Sequence, residues 1–429
     1  MAEHALRGPW RRDHLGGTLS AVEAAVAESH RREWAFVLAA TVRVTRDLDT
    51  AEEAVQDAYV QALRTWPRDG VPERTGAWLT TVARRNALNV LHRRKTLERK
   101  LPLLLEPEDD APMPEPDTIP DDRLRLIFTC CHPALAPEAR IALTLRLVCG
   151  VATPDIARAF LVAEATMAAR LTRAKKKIAT ARIPYRVPSP EDLPARVDAV
   201  LTVIHLLYAT GHTAPSGQDL VRDDLTDRAL DLARMLHLLL PAERETAGLL
   251  ALLLVHHARR ATRTDEHGRL LRLEEQDRSA WDRELIAEAD RLLVGSLTAG
   301  PPGRFTLQAA IAAVHAQAAT YERTDWREIL TLYDELLRIW PSPVVALNRA
   351  VALSMVEGPE AALAEVEALE RDGRLAGYRY LPATKADLLH RLRRDAEAVE
   401  AYRAALALSD NAAEQEFLAE RAAGIAAGS

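Results

Sequence analysis

Proline gathers twice along this 429-residue chain, and those two stretches decide what it can fold into, because proline lacks an amide donor and excludes regular structure. The first, from about Pro102 to Asp122, is also acidic. It carries Glu106, Glu108, Asp109, Asp110, Glu115, Asp117, Asp121 and Asp122 and no basic residue. The second, Ile183 to Pro194, holds Pro184, Pro188, Pro190 and Pro194. The expected division is a helical domain at 18–100, a linker at 101–123, a second domain at 124–183, a linker at 184–194 and a long remainder at 195–429. Several domains are required in any case, since single cores stop growing at roughly 250–300 residues. Aromatics are only 5% of the chain and few segments show β-branched alternation, so the expected class is all-α.

With 48% hydrophobic and 28% charged residues, the chain can build a packed interior. Its net charge of −6 and pI near 6.2 argue against a protein that grips nucleic acid alone by summed positive potential. Local distribution points the other way. Every lysine except Lys385 lies in one of two short stretches, Lys95 with Lys100 and Lys175 to Lys177, each with arginines beside it. Cys130, Cys131 and Cys149 form no CxxC pair, which leaves buried thiols in a reducing compartment and no metal as the expectation, with His132 beside the cysteine pair keeping a metal site as the alternative. No apolar run approaches the roughly 20 residues of a membrane span, and the N-terminus has no apolar signal core. A cytoplasmic protein without membrane contact is expected. A Gly-rich phosphate loop, HExxH and GxSxG are all missing, and His256 and His257 are adjacent rather than spaced as ligands, so neither catalysis nor a cofactor is expected.

In the first block, Thr50 followed by Glu53 predicts a capping box opening a helix. Ala51, Ala54, Val55, Ala58, Tyr59, Ala62 and Leu63 follow at helical spacing, which places Glu52, Glu53, Gln56 and Asp57 on or near the exposed side. A second helix is predicted over Gly76 to Arg94, with Trp78, Leu79, Val82, Ala83, Ala87 and Val90 as its apolar stripe and Arg84 and Arg85 pointing away. Asn86 and Asn89 lie near that stripe. Amides beside a tryptophan suit an unstacked base, which needs edge hydrogen bonds and a stacking surface; they equally suit a capped or water-bridged role. The helix runs into His92, Arg93, Arg94 and Lys95, a basic end fit for phosphates.

In the second block, Thr153-Pro154-Asp155 reads as a helix start with Thr153 as N-cap, and Ile156, Ala157 and Phe160 as the buried side. A following helix from Glu164 to Ile178 keeps Met167, Leu171, Ala174 and Ile178 on one face and Thr166, Arg170, Arg173 and Lys177 on a neighbouring one. A helix packed on one side and basic on the other can enter a major groove. In the remainder, Val344 to Leu353, a Gly358-Pro359 turn and Glu360 to Leu369 recur in outline as Leu381 to Leu392 and Ala396 to Leu408. Superposing Ala362 on Ala398 sets Val366 on Tyr402, near the roughly 34-residue period of tetratricopeptide repeats.

The run Asp47-Leu-Asp-Thr-Ala-Glu-Glu-Ala-Val-Gln-Asp-Ala-Tyr resembles the polymerase-binding segment of extracytoplasmic-function sigma factors, and Gly76-Ala-Trp-Leu-Thr-Thr-Val-Ala-Arg-Arg-Asn-Ala their promoter-melting segment. Thr166 to Ile178 resembles their upstream-element recognition helix. Phe128-Thr-Cys-Cys-His-Pro-Ala-Leu, Gln276-Asp-Arg-Ser-Ala-Trp-Asp and Ser342-Pro-Val-Val-Ala-Leu-Asn-Arg-Ala-Val are similar to the subgroup with a C-terminal tetratricopeptide-like extension. Tyr208-Ala-Thr-Gly-His212 departs from the family's Phe-Asn-Glu-Gly-Tyr type sequence there.

The resemblance implies two sigma-type helical domains plus a helical repeat domain, with core RNA polymerase (the β′ clamp and the β subunit) and promoter DNA as partners and a regulatory role for the extension. It assigns Asp47, Glu52, Glu53, Gln56 and Asp57 to the β′ clamp; Trp78, Arg84, Arg85, Asn86, Asn89 and Arg93 to the melted minus-10 strand; and Thr166, Arg170, Arg173, Lys175, Lys176 and Lys177 to the minus-35 duplex. The acidic linker would thread the RNA exit path. A polymerase-independent helix-turn-helix regulator with a repeat-type effector domain is the competing reading, and it leaves the two helices of the first block unexplained.

Overall fold

The first helix, α1 (Ala21–Thr45), is followed by α2 (Leu48–Asp69) and α3 (Thr75–Lys100), and each packs on the other two. The computed structural model describes residues 21–100, 122–160, 162–213, 216–217, 221–266 and 268–428. The acidic linker expected at 101–123 lies outside them up to residue 121, as do residues 18–20 and the side chains of Arg94, Lys95 and Lys100. The described residues form two compact units that divide after Val203.

In the first unit, α2 starts earlier than the expected capping box. Asp47 is the N-cap and its Oδ1 accepts from the Thr50 amide at 2.7 Å, so Thr50 already sits inside the helix and is buried. A carboxylate one turn ahead of the Thr/Glu pair captures the orphan donor first. The α3 stripe is as expected at Leu79, Val82, Ala83 and Ala87, all buried. The second block is built from α4 (Asp122–Cys130), α5 (Pro137–Leu143), which continues through a π-helical turn Thr144–Val148, α6 (Thr153–Ala159) and α7 (Glu164–Thr180). Thr153 is the first residue of α6 and not its cap; Ala152 occupies the cap position without a side-chain bond. Phe160 is half-buried, with the Arg170 guanidinium 5.7 Å over its ring, whereas Ile156 and Ala157 are buried as expected.

The two blocks pack together. Trp34 Nε1 on α1 donates to the Leu147 carbonyl at 3.0 Å. Between them Gly150 has φ +69°, and a Cβ there would meet His30 Cε1 at 2.7 Å and Trp34 Cγ at 2.9 Å, so only glycine fits. Tyr185, in the second proline-rich stretch, sets its hydroxyl 3.0 Å from the Ala39 carbonyl and 3.3 Å from that of Asp122.

One expectation about the chain is corrected by α8 (Leu193–His212), 20 residues that contain an 18-residue stretch of mean hydropathy 1.2, long and apolar enough to cross a membrane by length and composition. Its Val197, Val200, Leu201, Ile204 and Leu207 are buried in protein, as in the core helix of a folded domain.

The second unit holds α9 (Asp223–Leu239), α10 (Arg244–Ala258), α11 (Arg283–Thr298), α12 (Arg304–Gln317), α13 (Trp326–Ile339), α14 (Pro343–Val356), α15 (Pro359–Asp372), α16 (Tyr380–Arg391), α17 (Asp395–Ala407) and α18 (Ala412–Gly428). Apolar nearly all round, α10 is buried and packs against α9, α11 and α12. From α13 onward the helices stack as successive neighbours. Ala362 and Ala398 are both fully buried in one shared core, with Val366 and Tyr402 beside them. A two-residue parallel pairing of Ser216–Gly217 with Asp410–Asn411 is the sole sheet among the described residues.

Candidate nucleic-acid interface

Helix α7 is divided between an apolar and a polar face. Met167, Leu171, Ala174 and Ile178 are buried, while Thr166, Arg173, Lys176 and Lys177 are exposed. Arg170 is half-buried over Phe160. Lys175 turns the other way, with its Nζ 2.7 Å from Asp49 Oδ1 and 2.7 Å from Glu52 Oε2 on α2. Burial alone would lower the Lys175 pKa, but Glu52 and Asp49 outweigh it, and the net shift is upward.

Glu52 was expected on the exposed face of α2 and is instead buried, at 5% exposure, where Arg146 and Lys175 pair with it. The reason is helical phase. Leu48, Glu52, Val55 and Tyr59 repeat at four, three and four residues, so Glu52 occupies the inward stripe. Glu53 and Asp57 do face solvent, Asp47 is exposed at the cap, and the half-buried Gln56 donates to Glu52 Oε1 at 3.4 Å. Arg146 was missed in the sequence; no local pattern marks it, since its partner lies on another helix.

On α3, Trp78 is half-buried edge-on to Trp66, with centroids 5.6 Å apart. Asn86 Nδ2 reaches the Ala54 carbonyl at a long 3.5 Å, while Asn89, Arg85 and Arg93 are exposed and Arg84 is half-buried. The arrangement offers a mixed polar and aromatic surface on α3 and a separate basic face on α7. All three cysteines are buried, and burial pushes Cys131 up to about 11 and Cys130 well above the ordinary thiol value, so the Cys130 and Cys131 thiols stay protonated at neutral pH. Among the described residues no cluster of metal ligands is present.

Sigma-70 region 2 matches residues 30–96, Sigma-70 region 4 matches residues 125–178, and a family of unknown function (DUF6596) matches residues 196–297. An uncharacterised protein of Rhizobium meliloti (strain 1021) is 45% identical over 388 residues, covering 89% of this chain and 91% of its own length. No solved structure matches the chain. It belongs to the sigma-70 family, as a sigma factor of the extracytoplasmic-function type with a C-terminal extension. The sigma factor binds core RNA polymerase and promoter DNA and initiates transcription. Region 2 corresponds to α1, α2 and α3, and region 4 to α4 through α7, so both matched segments fall in the first unit. In that unit Asp49 and Glu52 of region 2 are joined to α7 of region 4 through Lys175.

Proposed function

We propose that this sigma factor docks on the β′ clamp through the acids of α2, namely Asp47, Glu53 and Asp57 with Gln56 beside them, and through Glu52 once Lys175 has left it. Trp78, Arg84, Arg85, Asn86, Asn89 and Arg93 would then lie against the melted minus-10 strand, where an exposed amide and a half-buried indole match the edge and the face of an unstacked base. Thr166, Arg170, Arg173 and Lys175 to Lys177 would hold the minus-35 duplex, with further contacts to the β subunit and the acidic linker in the RNA exit path. The observation that carries this reading is the division of α7, four buried apolar residues against an exposed face of hydroxyl and basic side chains, in a chain of net charge −6. So acidic a chain is poorly suited to hold DNA unaided, whereas one tethered to polymerase needs few contacts. We infer further that the domains run as the two proline-rich stretches divide them, that the protein works in the cytoplasm without catalysing a reaction of its own, and that the extension, with its tetratricopeptide-like stacking of α14 to α18, regulates the sigma modules.

Measuring holoenzyme binding to a minus-35 duplex against salt tests the assignment. Replacing Arg173 or Lys176 by alanine should weaken binding and lower the magnitude of the salt slope by about one per lost phosphate contact. Unchanged affinity and slope would remove α7 as the reader. Ending the chain after Arg186 and comparing run-off transcription shows whether the extension activates or inhibits; no change would remove its regulatory role.

A further inference from the structure

The second unit contains a cavity of about 350 Å³, a size at the lower end of small-molecule sites. Its wall is gathered from α8, α10, α12, α13 and α14 and the loops between them, and is apolar at Leu252, Val255, Trp281, Ile311 and Val345. Into this wall is set Arg259, immediately after α10. Its Nη2 lies 3.1 Å from His256 Nδ1, and among the described residues it forms no ion pair with a carboxylate. Loss of solvent around it drives its pKa down to about 10, with Arg263 and Arg278 adding to the effect, so the guanidinium is still charged at neutral pH. A half-buried cation facing a largely apolar cavity without a counter-ion is unfavourable unless something else supplies the negative charge.

The neighbours sharpen the choice of ligand. A guanidinium can only donate, so its bond to His256 Nδ1 requires the neutral tautomer with the proton on Nε2. Burial keeps His256 neutral, well below its ordinary pKa, and holds His205 and His315 at about 4. The cavity therefore has one fixed positive charge and neutral imidazoles instead of a cluster of cations. Asn348 on α14 adds an amide at the exposed rim. Behind His256 stands the Tyr208–His212 segment that departs from the family pattern, with Tyr208 stacked on His212 at 5.6 Å and His212 5.3 Å from His256.

We propose that this cavity binds a small organic carboxylate, its two oxygens on the Arg259 fork and its apolar body against Leu252, Val255, Ile311 and Trp281. A planar carboxylate matches the bidentate geometry of guanidinium, and the apolar wall favours a carbon skeleton over an inorganic ion. The inference goes beyond promoter recognition and gives the extension a ligand of its own.

The test uses the full chain alone, without polymerase or DNA, so its outcome is independent of the promoter reading. Benzoate, its neutral counterpart benzamide and inorganic phosphate are each titrated calorimetrically. Benzoate should bind saturably, with benzamide and phosphate at least about tenfold weaker. Arg259→Gln should weaken benzoate by about tenfold or more while leaving benzamide unchanged, and Ala312→Phe, which fills the cavity, should abolish benzoate binding even if the Arg259 variant fails to fold. Saturable benzoate binding that is absent, that survives Ala312→Phe, or that benzamide or phosphate equals would overturn the proposal.

Discussion

Replacing Lys175 by methionine should make the free sigma factor bind core polymerase more tightly. Methionine keeps the helix propensity and most of the aliphatic stem of lysine and removes only the charge. Lys175 bonds to Asp49 and Glu52 at 2.7 Å each, but the two acids differ in environment, with side-chain exposures of 72% and 7%. The exposed pair contributes at most about 1 kcal/mol, and the buried charged hydrogen bond about 1.5–3 kcal/mol. Arg146 remains on Glu52 after the substitution, so the carboxylate is not orphaned and the larger loss of about 3–5 kcal/mol for an unpaired buried charge does not arise. A weakening of about 2 kcal/mol shifts the balance between the joined and separated sigma modules by roughly 30-fold. If polymerase takes only the separated form, its apparent affinity rises by as much as that factor when the joined form dominates. The pKa of Lys175 is raised above 10.5, so the contact is fully present below that value and is lost only as pH rises through the folded pKa; an assay at neutral pH reads the charged lysine. Fluorescence anisotropy of the labelled chain titrated with core enzyme gives the affinity directly. Equal or weaker binding by the variant would refute the reasoning.

Two further outcomes follow from buried groups. Gly150→Ala combines a left-handed backbone with a Cβ placed 2.7 Å from His30 Cε1, and should lower the unfolding temperature of the first unit by destabilising it roughly 1–3 kcal/mol, read by calorimetry against an unchanged transition of the extension. In the extension, burial depresses His205 and His315 to about 4, with Arg304 acting on the first and Arg259 and Arg278 on the second. The unfolded chain takes up those protons near pH 6.5 and the native state does not, so stability is present above pH 6.5 and falls as the pH drops towards 4, by at most about 3 kcal/mol per histidine. Thermal unfolding between pH 7.5 and 5 checks the sign; a transition that holds or rises on acidification contradicts it.

Much of the residue layout of the candidate interface was legible because it is written along single helices. The four apolar positions of α7 and the exposed Thr166, Arg173, Lys176 and Lys177 follow from one period of 3.6 residues, as does the α3 stripe. Where residue chemistry and helical phase disagreed, phase decided. Glu52 looks like a surface acid by type, yet its place four residues after Leu48 turns it inward. Lys175 could be read as basic but not as spoken for, since its partners lie 126 and 123 residues away. The cap positions moved because the first side chain able to reach the orphan amide, Asp47, precedes the motif that suggested Thr50. No stretch of sequence announces the cavity of the extension, whose wall is drawn from five helices.

Run-off transcription with purified core polymerase, the full chain and genomic promoter fragments addresses the account most directly. Discrete transcripts that start only when the chain is added, and that disappear when Glu53 and Asp57 are both changed to arginine, are the expected result. A chain that neither stays with core enzyme nor directs any start site, or a charge-reversed variant with undiminished output, would contradict it.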